Sequence, residues 1–115
     1  MSKQSISLLT LSIAASGAIV ANRFVTHARD QAVADENTLG VATTAATDGE
    51  VLAVDVMGTA IVEAGAAVAA GATLKADANG KAITWVTSGA KVAVALDAAS
   101  ADGDFIEVLL IPNAA

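Results

Sequence analysis

Hydrophobic and polar positions along this chain alternate over short stretches and then break at glycines, which is a pattern of strands and turns. Residues 5–13, "SISLLTLSI", alternate in two phases. Ile6 and Leu8 fall on one, and Leu9, Leu11 and Ile13 on the other. A switch at Leu8-Leu9 predicts a β-bulge or a change of buried face within a strand or extended arm. "SGAIVANRFVTHA" (16–28) predicts a second strand ending near His27, and the polar "RDQAVADENTLG" (29–40) reads as turn. "VATTAA" (41–46), "VLAVDVMG" (51–58) and "TAIVEA" (59–64) follow as three further strands. The turn Asp48-Gly49 separates the first two, because Gly takes positive φ without steric cost.

The least informative stretch by composition is "AGAAVAAGATLKADANGKAI" (64–83). Ala favours helix. The segment between Gly65 and Gly71 is too short for a stable one. Asn79-Gly80 is a strong two-residue hairpin signal, and "KAITWV" (81–86) after it is β-branched and aromatic. The reading is a loop leading into strand, turn and strand. The end of the chain then resembles its middle. "GVATTAATDGEVLAVDV" (40–56) and "AVALDAASADGDFIEVLL" (93–110) share a small-residue strand, an Asp-Gly turn followed by an acid, and an aliphatic strand. Two copies do not make a solenoid and predict two similar hairpin corners in one domain. Pro112 stops the last strand. About eight short strands predict an all-β fold of sandwich, barrel or bent-ribbon (β-clip or β-tulip-like) type. Residues 1–15 form an N-terminal arm or edge strand, and residues 16–115 a single β domain.

Composition narrows this picture. With 115 residues the chain fits one small domain. It is 55% hydrophobic but only 3% aromatic, so the core is built largely of Ala and Val. Small side chains gain less from burial, and such a domain is expected to draw stability from association. Net charge is −6, and the six bases (Lys3, Arg23, Arg29, Lys75, Lys81, Lys91) are scattered. That argues against nucleic acid as a partner. Without cysteine no disulfide or thiolate metal site forms. No run is long and apolar enough for a membrane-spanning helix, and no membrane partner is expected. The first residues have the profile of a secretory leader, a lysine followed by an apolar run. Ser7, Thr10, Ser12 and Ser16 interrupt that run and weigh against it.

The inventory for catalysis is poor, and no cofactor is expected. His27 is the sole histidine, and no nucleophile motif or phosphate loop occurs. Asp48 and Glu50 flank Gly49, and Asp102 and Asp104 flank Gly103. Acids so spaced are able to bind Ca²⁺, but the simpler reading is Asp starting a turn beside a solvated acid. Trp85, the single tryptophan, alternates onto one face with Ile83 and reads as a packing or interface anchor.

Residues 39–110 together resemble the small capsid decoration, or cement, proteins of tailed bacteriophages. The likeness is carried in order by Gly-Val-Ala (40–42), Gly-Glu (49–50), a Val-rich strand ending at Gly58, "AGAAVAAGATL" (64–74) and "DANGKA" (77–82). It closes with Val-Ala-x-Ala-Leu, two alanines, Asp-Gly and a Val/Leu strand (92–110). The resemblance implies a non-enzymatic homotrimer on the outer surface of the virion capsid. It would sit near local threefold axes, bind the major capsid protein and resist internal DNA pressure. It further implies an N-terminal arm that adds a strand to a capsid element. The matching residues here are Ser2, Lys3, Gln4, Ser5, Ile6, Leu8, Leu9, Leu11 and Ile13, and this arm is more apolar than the pattern it resembles. An apolar, alternating terminus suits strand addition on its own terms. The alternatives are a β-clip-like accessory domain of an enzyme and a secreted surface or adhesin subunit.

Overall fold

The computed structural model describes residues 5–112. Among them are eight strands and no helix: β1 (Ser7–Ala14), β2 (Phe24–Val25), β3 (Gly40–Ala42), β4 (Val51–Glu63), β5 (Thr73–Ala76), β6 (Ala82–Thr84), β7 (Ala93–Ala95) and β8 (Phe105–Leu110). All pair antiparallel, in the order β2-β3-β4-β8-β7-β5-β6, with β1 on β4. The all-β expectation holds.

β4 organises the molecule. Its first half pairs with β1 and β3, and its second half pairs with β8. The two strands expected over 51–58 and 59–64 are thus one. Gly58 marks the passage between its halves, at φ 98° and with the Ile6 carbonyl only 2.2 Å from where a Cβ would stand. No other residue type tolerates both conditions. The expected phase switch in β1 is present: its register on β4 shifts between Ser7 and Leu9 and again between Leu9 and Thr10. The strand expected over 16–28 is much shorter. Only Phe24–Val25 is strand, with an isolated bridge from Ile19 to Ala46, and Asn22 turns the chain between them at φ 63°. Alternating apolar residues there serve a loop over a core as well as they serve a strand.

The resemblance between the middle and the end of the chain extends to the whole fold. Ile13 pairs Leu52 and Ala14 pairs Val51, as Val62 pairs Ile106 and Glu63 pairs Phe105. Phe24 pairs Val41, as Thr73 pairs Val94. Val41 pairs Asp55, as Val94 pairs Leu109. The bridge Ile19–Ala46 matches Val68–Ala99. Ser16 N–H donates to the Arg29 carbonyl as Gly65 N–H donates to that of Ala82, both at 2.8 Å. The chain therefore contains two small, nearly closed antiparallel barrels in tandem. β4 is the last strand of the first and the first strand of the second.

Each half has its own interior. The first holds Val25, Ala42, Ala46, Leu52 and Val54. The second holds the equivalent Leu74, Ala95, Ala99, Ile106 and Val108. Strand alternation turns Phe24 and Val41 outward from the first barrel, and there they join the buried cluster of the second together with Ala32. Phe24, the largest fully buried side chain, thus packs between the halves.

Candidate interaction surface

Three of the four acids at the Asp-Gly turns accept from backbone N–H groups, and the fourth, Asp102, takes a lysine. Asp48 Oδ1 accepts from Gly17 N–H at 3.0 Å, and Glu50 Oε1 from Thr47 N–H at 2.7 Å. Those bonds at Thr47 hold the Glu50 carboxyl below its ordinary range. Asp104 Oδ2 accepts from Ser100 N–H, Ser100 Oγ and Ala101 N–H at 2.9, 2.8 and 3.3 Å. Asp102 Oδ1 takes the Lys81 ammonium at 3.0 Å. Among the described residues no three acidic or histidine side chains converge as metal ligands, and no cavity opens. His27 is exposed on a turn.

Charge is concentrated where the two halves meet. Glu63 receives Arg23 at 3.3 Å and Lys81 at 3.2 Å. Lys81 bridges onward to Asp102, and the two carboxylates raise its pKa above the usual lysine value, Asp102 foremost. Asp35 binds the Lys75 ammonium at 2.7 Å, and that hydrogen bond first of all lowers its carboxyl pKa. Backbone bonds accompany these pairs. Phe24 N–H donates to the Gly80 carbonyl at 2.8 Å, and Glu63 N–H to that of Asn22 at 2.9 Å. The turn expected at Asn79-Gly80 is present but is longer than a two-residue loop: Asp77 N–H donates to the Lys81 carbonyl and Gly80 N–H to that of Asp77, with Gly80 at φ 74°. This turn also receives the first barrel.

Trp85 is half-buried and joins neither core cluster. Its indole N–H donates to the Gly89 carbonyl at 2.9 Å, and Lys91 Nζ lies 4.4 Å from the ring centroid, at cation–π distance.

Exposed apolar side chains are spread over the surface, Val51 and Val86 among them, and one run of them, Ile6, Leu8, Leu9 and Leu11, follows the N-terminal segment. Of the expected arm, Ser2, Lys3 and Gln4 lie outside the described residues. Ser5 is hydrogen-bonded back onto the fold, its Oγ donating to Asp55 Oδ2 at 3.1 Å. Ile6 and Leu8 are 53% and 74% exposed, with Leu9 and Leu11 exposed beyond them. Ile13 packs against the first core. On β8, Leu109 is also exposed, at 45%, opposite Thr59, whose N–H donates to the Ile6 carbonyl. Sequence reasoning missed Leu109 as a surface residue. Its strand reads as core, and only the register shows which of its residues face out.

A family model for the phage cement protein matches residues 3–110. No curated protein matches the sequence. Among solved structures, the chain is similar to the head fiber gp8.5 N base in bacteriophage phi29, at a TM-score of 0.73 and 16% identity. The match covers 90% of this chain and 93% of that one. At that identity the likeness is one of fold.

Proposed function

The chain belongs to the phage cement protein family, and from that premise we propose how it holds a capsid. Its role is decoration of a phage capsid, and its place is the outer surface of the virion. Within that role, the chain acts without catalysis, as a homotrimer near local threefold axes. It bridges copies of the major capsid protein and stiffens the shell against internal DNA pressure. A trimer engaging three sites needs only modest affinity at each, because the second and third contacts form at high effective concentration.

The observation that carries this reading is the apolar N-terminal end of β1. On a chain of net charge −6, Ile6 and Leu8 stand exposed where the chain enters the fold. Among the described residues β4 is the strand paired to β1. Exposed apolar groups beside a strand edge are what strand addition to a partner requires. Capsid contact is assigned to Ser2–Leu8. Leu9 and Leu11 lie further along the same strand and are less exposed than Leu8, and Ile13 packs against the first core. No observation favours the accessory-domain or adhesin alternatives.

The test is binding of the purified protein to expanded, undecorated heads of the parent phage. Wild type should bind saturably and raise the temperature at which heads release DNA. Ile6→Ser with Leu8→Ser should weaken binding at least tenfold while leaving the fold, read by circular dichroism, unchanged. Wild-type protein that fails to bind, or binds without stabilising the heads, overturns the proposal.

A further inference from the structure

The tandem repeat shows how one barrel of this chain covers another, and it leaves one copy of that junction unfilled at each end. Within the chain, the outer row of the first barrel (Phe24, Val41, Asp55) is buried, with Phe24 and Val41 packed into the second barrel's cluster beside Ala60. The equivalent outer row of the second barrel is Thr73, Val94 and Leu109. Among the described residues none covers Leu109 to the same degree: it is 45% exposed where Asp55 is 6%. The usual preference is inverted, with the carboxylate inside and the leucine outside. At the other end, the first barrel's counterpart of Ala60 is Leu11, 37% exposed.

We propose that the outer row of the second barrel, around Leu109, docks on the open side of the first barrel of a second copy, around Leu11. The contact repeats between chains the junction that joins the barrels within one. Leu109, Val94, Thr73 and Leu11 are themselves apolar or hydroxylic, and the charges beside them on the second barrel's outer face, Glu107 on β8 and Lys75 on β5, are one of each sign. The interface is heterologous, using two different patches, and such contacts close into rings or run on as filaments. Ring size rests on the trimeric reading above. Three chains would then form a ring of six barrels in which within-chain and between-chain junctions alternate.

Sedimentation of two variants tests this. Leu109→Asp removes one patch and Leu11→Asp the other. Wild type is expected to sediment as a trimer and each variant alone as a folded monomer. An equimolar mixture should give a one-to-one dimer and nothing larger, because one good junction remains. A self-complementary interface would instead leave one variant fully assembled, and that result overturns the proposal, as does a monomeric wild type at concentrations up to about 1 mM, weaker than any stable complex. Should Leu11→Asp unfold, Thr73→Arg paired against Leu9→Asp repeats the mixing test. Monomeric wild type that still decorates heads sinks this interface and the homotrimer with it, and leaves the capsid role standing. Wild type that assembles but does not bind heads sinks the capsid proposal alone.

Discussion

The two barrels are built on one register and differ in what lies against their outer faces. Phe24 and Thr73 occupy the same place in the ladder, yet Phe24 is fully buried against the other half and Thr73 is half-exposed. Asp55 accepts hydroxyls from Ser5 and Thr10 at 3.1 and 2.9 Å, while its counterpart Leu109 meets solvent. A sheet fixes position through its backbone. What a position is worth depends on the neighbour beyond the sheet.

The sharpest way to break this comparison is at the junction. Phe24→Ala should cost about 3–5 kcal/mol, as large core truncations do. Thr73→Ala should cost below about 1 kcal/mol in the dilute chain. Urea unfolding at low protein concentration reads both, and similar losses would show the halves to be equivalently packed.

Glycines give the next contrast. Gly58→Ala combines positive φ with a Cβ placed 2.2 Å from a carbonyl oxygen, and should cost about 2–5 kcal/mol. Gly103→Ala meets only the φ penalty, since nothing lies within 4 Å of its Cβ, and should cost about 1–2 kcal/mol. Thermal unfolding of the two variants distinguishes steric from conformational strain.

At the outer rows, Asp55→Ala removes the acceptor of two hydroxyls and should cost about 1–3 kcal/mol. Leu109→Ala should leave the isolated chain within about 1 kcal/mol of wild type. A large loss for Leu109→Ala in a verified monomer would mean that the second barrel's outer row is already covered.

The smallest effect is that of pH. Asp35 and Glu50 are held below their ordinary range. Their contributions are complete above about pH 4 and fade as pH falls through the lowered values. Lys81 is raised. Its contribution is complete below about pH 10 and fades as pH rises through the raised value. Asp35→Asn should flatten the acid limb of a melting-temperature profile, and Lys81→Met the alkaline limb. A limb that keeps its slope assigns the effect to other groups.

Much of the fold was legible in the chain. The hairpin at Asn79-Gly80, the turns at Asp48-Gly49 and Asp102-Gly103, and the switch at Leu8-Leu9 are written in local residue chemistry, because positive φ and side-chain alternation are properties of a few neighbours. The likeness of 40–56 to 93–110 was visible too. Its extension to the rest was not, since 15–31 and 64–84 share backbone bonds and pairing register far more than residue types. Composition likewise fixed the acidic, small-residue character and the poverty of reactive groups.

Only the tertiary structure decided that β4 serves both barrels, that Phe24 faces outward from one interior into another, and that Leu109 and not Asp55 is left at the surface. Those facts depend on which segments meet across tens of residues. Alternation along a strand says that two faces exist, and only packing says what each one touches.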